Sequence, residues 1–327
     1  ALDGARELWS VGYSQPGECD PLFAELKKSS LFTQDLIWQR FDAALQNNKV
    51  SLAVYLKNLM PKSHHETAEL WLDLHRRPSH HIQKLLKQPL TPQSPSMFTH
   101  TISRLANKDL ASAIRIWDTH KHKYDIDGTQ ARALEKRLAF KLAFQRQAGA
   151  YERLSGLDNP DSSSQDWRVR AALAEQNWPN VLSAIQAMDE QERSDEKWQY
   201  WLARAFLETD EVEQAEKIFS ALSKERSFYG YLAADKVNSL YQLSDDPVQV
   251  SDSDIAALQA QEEFLVAYEL KAIDRNTEAK LQWWHALSQG DKDEIVVAAK
   301  LAQSWHWHEI AIFTLAKAKH WDDIEVR

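Results

Sequence analysis

Histidine is the first residue type to weigh, because the chain carries 12 and pairs several: His64-His65, His80-His81, His120 with His122, and His306 with His308. Converging imidazoles bind transition metals. Residues one or two apart on a helix, however, point to different sides and chelate poorly unless the backbone is extended. His65-Glu66-Thr67-Ala68-Glu69 approaches the HExxH zinc helix but has Glu where the second His must stand. These pairs are therefore expected on solvated helix faces, with no metal site. Asp245-Asp246, Asp322-Asp323 and Asp291/Asp293/Glu294 fall at predicted helix starts or turns. There a carboxylate faces the positive end of the helix dipole. A glycosidase-type acid needs a pocket that raises its pKa, and no such pocket is legible. Nucleophile motifs and glycine-rich phosphate loops are missing, so no catalytic residue and no cofactor is expected.

Two basic stretches remain. Arg76, Arg77, Lys84 and Lys87, interleaved with His80-His81, could meet an anionic surface, as could His120-Lys121-His122-Lys123. The commoner role of such a run is a wet helix face. Trp rings can stack on sugars, but Trp201, Trp283 and Trp305 sit among apolar neighbours and read as core.

What would position these groups is helical throughout. Only 8 Gly and 10 Pro occur in 327 residues, and helix interiors tolerate few of either. No alternating β-branched run bounded by turn pairs is found. Residues 198–232 read as a helical hairpin in which Leu202, Ala203 and Phe206 meet Ala215 and Phe219, the spacing of a tetratricopeptide-like unit. Small residues at Ala203 and Ala215 let the helices approach, and the two Phe rings fill the space beside them. Further hairpins follow the same logic, for example 31–46 with 50–59, and 167–175 with Pro179 starting the return helix. Asp20 is expected to cap a helix with Pro21 at its first position. Asn177-Trp178, His306-Trp307 and His320-Trp321 each place a Trp between two helices, where it can wedge the turn. The expected fold class is all-α, a right-handed α-superhelix of helical hairpins (a tetratricopeptide-like solenoid) forming an arc or horseshoe. It is expected to be a single domain over 1–327, with sub-breaks at 88–95, which holds three prolines, and at 158–164.

The formal charge of -9 argues against nucleic acid, whose phosphates call for a basic surface. No apolar run approaches the length of a membrane span, and no signal peptide is visible. One cysteine, Cys19, excludes an internal disulfide framework.

Three segments carry a resemblance: residues 5–23 (ELW…G.SQP..CD.LF), 196–237 (W..WLA…ER.FYGYLAA) and 316–327 (AK..WDDIE.R). They resemble the long non-catalytic helical domain of the soluble lytic murein transglycosylases of Gram-negative bacteria. The resemblance implies a periplasmic enzyme that cleaves peptidoglycan between N-acetylmuramic acid and N-acetylglucosamine, leaving a 1,6-anhydro end. It implies further that one Glu does the work, in a separate lysozyme-like domain marked by Glu-Ser and Gly-Leu-Met-Gln. This chain has neither motif, so that domain is expected to be absent and no catalytic residue is carried over. In the family the counterpart of Cys19 can pair with a Cys further toward the amino end. The implied partners are peptidoglycan glycan strands, reached through the catalytic domain, and other cell-wall proteins. The alternative reading is a stand-alone tetratricopeptide-like adaptor that binds a protein, although no repeated set of polar anchors is found. A third is a glycan-binding module using Arg76 and Lys84.

Overall fold

The computed structural model describes residues 2–243, 245–288, 290–320, 322–323 and 325–326, and every regular element among them is helical. The chain forms two compact units, Ala1–Arg193 and Ser194–Arg327. The first contains α1 (Leu2–Trp9), a short 3-10 turn, α2 (Asp20–Lys28), α3 (Gln34–Gln46), α4 (Val50–Leu59), α5 (Lys62–Arg76), α6 (Pro78–Lys87) and α7 (Ser94–Leu105). It continues with α8 (Leu110–His120), a second 3-10 turn, α9 (Gly128–Phe144), α10 (Ala150–Ser155), α11 (Ser162–Ala174), α12 (Trp178–Gln186) and α13 (Glu190–Arg193). The second unit contains α14 (Glu196–Glu208), α15 (Val212–Leu222), α16 (Phe228–Val237), α17 (Asp252–Gln259), α18 (Glu262–Ala272), α19 (Asn276–Ala286), α20 (Lys292–Ser304) and α21 (His308–Lys317). Both proline-rich or polar breaks seen in the sequence, 88–95 and 158–164, lie inside the first unit. The second of them is shorter than expected, because Asp161 already caps α11 by accepting from the Ser164 amide.

Five hairpins share one joint. Between α3 and α4, α11 and α12, α14 and α15, α18 and α19, and α20 and α21, three residues separate the helices. The middle one is left-handed in each: Asn48, Gln176, Asp210, Asp274 and His306, with φ between 53° and 64°. The residue after it donates its amide to a carbonyl five residues back, as Glu211 does to Phe206 (2.8 Å) and Trp307 to Ala302 (2.9 Å). This is a Schellman closure, which satisfies carbonyls left over at the helix end. None of the five left-handed residues is glycine. The same residue that ends the turn also starts the next helix, so antiparallel packing follows at once.

The α14/α15 pair is packed as the spacing predicts: Ala203, Ala215 and Phe219 are buried, with Phe206 half-buried beside them and α16 closing the cluster through Ala233. Gly230 in α16 permits this closure, since a Cβ there would lie 2.0 Å from the Glu225 carbonyl oxygen. Gly12 does the same after α1, where a Cβ would meet the Ala43 carbonyl oxygen at 2.3 Å. In the first unit one continuous core runs from Ala5 to Ala171, with Trp9, Phe41, Trp71, Phe98 and Trp117 among its buried rings. In the second, Trp283 is fully buried edge-on to Phe264, Trp305 and Trp307.

Three local expectations are corrected. Asp20 is the first residue of α2 and not its cap; Cys19 stands at the cap position, because the preceding 3-10 turn already carries the chain into helix. The Trp dipeptides are not equivalent: Trp307 precedes α21 and is buried, whereas Trp178 is one place later, the first residue of α12, and half-buried. The third, His320-Trp321, has its Trp outside the described residues. The short helices α10 and α13 were not legible, being only 6 and 4 residues long.

Candidate functional site

The basic stretch folds into the end of α5 and the whole of α6. Pro78 begins α6, Ile82 and Leu85 face the core, and the opposite face presents Arg77, His80, Lys84 and Lys87 at helical spacing. Arg76, Arg77, Lys84 and Lys87 are all exposed. Cations elsewhere are often paired, as Lys57 is with Glu69 and Lys280 with Glu309 (2.8 Å). The four here are in none of the ion pairs among the described residues. The second basic run is different: Lys121 donates to Glu135 (2.6 Å) and lies 5.6 Å from the centre of the Trp117 ring.

Around Glu135 a cavity of about 610 Å³ opens between α8, α9 and the 156–161 loop. Glu135 accepts from Trp117 Nε1 (2.6 Å), Lys121 (2.6 Å) and Arg153 (2.7 Å), while Arg153 also grips both oxygens of Asp118 at 3.0 Å. Burial pushes the Glu135 carboxyl up, but the Lys121 and Trp117 donors and the Arg153 charge outweigh it and hold it below the usual carboxylate range. A general acid of glycoside cleavage needs the reverse shift. The group is an ion-pair knot joining α8, α9 and α10.

The histidines divide. His306 and His308 are exposed, as expected. His64 and His65 are not on a solvated face: both are half-buried, His64 accepting from Trp38 Nε1 (3.2 Å) and His65 within 3.0 Å of the Met60 carbonyl. Two histidines outside any sequence pair, His75 on α5 and His100 on α7, are buried and stacked, with ring centres 5.2 Å apart and planes at 12°. His75 Nε2 lies 3.0 Å from Asn48 Oδ1, and His75 Nδ1 lies 3.0 Å from His100 Nε2. With Asn48 accepting from His75 Nε2, His75 Nδ1 is left to accept the His100 Nε2 proton, a chain that closes only if the His75 ring is neutral. Burial, with help from Arg104, lowers His75 to about 4 and His100 to about 3. The signal that could have found His75 is its place on the stripe of Trp71 and Leu74. Among the described residues no three His, Cys, Asp or Glu side chains converge as a metal set.

The acidic clusters also divide. Asp291 caps α20 through the Glu294 amide (2.9 Å), as predicted. Asp322 and Asp323 are at no helix start. Asp323 is fully buried and accepts from Lys300 (2.9 Å) and from the amides of Val248 and Val326 (3.0 Å each). Burial raises its carboxyl, but Lys300 and the two amides more than reverse this and leave it below the ordinary carboxylate value. Arg226 pairs with Asp322, and His320 lies 2.8 Å from the Asp246 carbonyl oxygen. The closing DD pair therefore ties the 246–248 loop to α20 and to the turn that precedes α16. Cys19 is a half-buried free thiol. Of the Trp residues read as core, Trp283 and Trp305 are buried and Trp201 is half-buried.

Comparison with known proteins places these features. Residues 257–324 match the family model described as "Soluble lytic murein transglycosylase L domain". The soluble lytic murein transglycosylase of Salmonella typhimurium is 24% identical over 330 residues, covering 100% of this chain and 51% of that protein. That of Escherichia coli K12 is 23% identical, again over 100% of this chain and 51% of its own length. The chain thus spans about half the length of the curated relatives it matches. A crystal structure of an inactive mutant of the lytic transglycosylase Slt from Pseudomonas aeruginosa superimposes with a TM-score of 0.79 at 24% identity, covering 100% of this chain and 53% of that one. The all-α hairpin fold is therefore shared with that enzyme, and the resemblance carried by the three sequence segments extends over the whole chain.

Proposed function

We propose, with the chain taken as a relative of the soluble lytic murein transglycosylases, that it is the non-catalytic scaffold of such an enzyme. The observation that carries this reading is alignment along the entire chain to only about half of each relative. The other half of the relatives is where a lysozyme-like domain with its Glu would lie, and the two most enclosed acids described above are occupied otherwise. Glu135 is held ionised by three donors, and Asp323 is buried under Lys300. The whole enzyme would cleave the MurNAc–GlcNAc bond of peptidoglycan to 1,6-anhydro products, in the periplasm. The helical array would hold the active domain and limit which glycan strands reach it, since stacked hairpins build broad surfaces without deep pockets. Contacts with other cell-wall proteins belong to the same reading.

The test uses purified sacculi. The chain alone is expected to release no anhydro-muropeptides, and the same chain joined in one polypeptide to a relative's lysozyme-like domain is expected to release them. Release by the chain alone overturns the non-catalytic assignment.

A further inference from the structure

Charge is distributed unevenly along this molecule. Residues 1–193 carry 25 Lys and Arg against 23 Asp and Glu, whereas residues 194–327 carry 14 against 25. Within the first unit, no acidic residue occurs between Asp73 and Asp109, a stretch that contains Arg76, Arg77, Lys84, Lys87, Arg104 and Lys108. An acidic protein has thus concentrated unopposed positive charge at one place. The fold then sorts it: Arg104 turns inward beside the buried histidines and is half-buried, while Arg76, Arg77, Lys84 and Lys87 stay outside. From Arg77 to Lys87 the cations run along one side of α6 for about 15 Å, at 1.5 Å rise per residue.

We infer that this face of α6, with Arg76 and Arg77 at its head, is an electrostatic dock for the carboxylate-bearing peptide stems of peptidoglycan. The inference rests on the scaffold reading for the identity of the polymer, and on charge complementarity for the part of it that is bound. A neutral sugar ring would be held by exposed aromatic platforms, and this helix presents none: its sequence, PSHHIQKLLK, contains no Trp, Tyr or Phe. A row of separated cations instead matches a row of separated carboxylates on a repeating polymer. Each pair would be weak in water and screened by salt, so holding comes from several acting together. Arg suits carboxylates by its planar pair of donors, which Arg76 and Arg77 supply at the head of the helix. Nucleic acid would also seek cations, but the molecule as a whole carries a charge of -9 and would repel a dense line of phosphates.

The test measures retention of the 327-residue chain on insoluble sacculi at low and at physiological salt, with no lytic activity required. Wild type is expected to bind saturably and to be released by salt. It is expected to bind about tenfold less to sacculi whose peptide stems an amidase has removed. The variant R76Q/R77Q/K84Q/K87Q is expected to lose about tenfold in retention while keeping its helical circular dichroism and melting temperature. K292Q, which removes an exposed cation of the second unit, is the control and is expected to bind as wild type does. Equal retention of the four-fold variant, or equal binding to stripped glycan, overturns the dock. Tighter binding to duplex DNA than to sacculi overturns it too, as does a salt-sensitive dimer abolished by the same four substitutions. These outcomes are separable from failure of the scaffold reading, which is judged by release of anhydro-muropeptides and not by retention.

Discussion

At the scale of single residues, the buried His75–His100 pair sets how the protein answers to acid. In the unfolded chain both rings take a proton near pH 6.5, the usual value; in the folded chain they resist until about 4 and about 3. Below pH 6.5 the unfolded state therefore binds more protons, and stability falls as pH falls. The stabilisation is fully present above 6.5 and is lost between 6.5 and about 4 for His75, and down to about 3 for His100. At about 1.4 kcal/mol per pH unit per ring, the loss between pH 6.5 and 5 reaches up to about 4 kcal/mol. Urea unfolding at pH 7 and pH 5 checks this: the wild-type midpoint is expected to drop sharply, and H75Q/H100Q is expected to lose most of that dependence. A wild type equally stable at both pH values sinks the account. Groups facing the pair include Arg104, whose Nε is buried without a hydrogen-bond partner, and Arg76; both add positive charge and so deepen the effect.

At the scale of elements, the hairpin joints carry the prediction. A left-handed conformation costs an ordinary L-residue roughly 1–2 kcal/mol, which glycine avoids. H306G is therefore expected to raise the melting temperature by a few degrees, with a gain of up to about 1 kcal/mol after the greater freedom of glycine in the unfolded chain is counted. A lower melting temperature would show that the His306 ring contributes to the joint. The helices themselves were legible because apolar residues recur at helical spacing: the range 50–59 was read from Val50 to Leu59, as observed. The repeated joint was not legible, since Asn, Gln, Asp and His occupy its key position and share no side-chain pattern. The basic face of α6 could be read because its cations have no competing use, whereas Lys121 looked equally free until Glu135, 14 residues away, was seen to take it. The burial of His75 and of Asp323 was hidden for the same reason. Their burial depends on partners 25 and 23 positions distant, Lys300 in the latter case, which spacing within one helix does not reveal.

At the scale of the whole molecule, the first unit has one continuous core from Ala5 to Ala171, and the clusters around Phe219 and Trp283 lie in the second. Units with separate cores of this kind unfold separately, as expected for arrays whose hairpins contact near neighbours only. Calorimetry is expected to show two transitions. K300M, which leaves Asp323 buried without its cation, is expected to cost about 3–5 kcal/mol and to move one transition alone. A single transition displaced as a whole would mean that the units melt as one. The five shared joints have a further consequence, for how such a chain can change its length. Every joint reverses the chain through the same dihedrals in three residues, so it has no slack: one inserted residue would rotate all that follows. Removing or duplicating the helix pair between two left-handed residues, such as α19 with α20 between Asp274 and His306, would restore the same junction. Gains and losses across these five joints are therefore quantised, tolerated in whole helix pairs and forbidden within a joint, whereas the open stretch at 88–93 can take single residues.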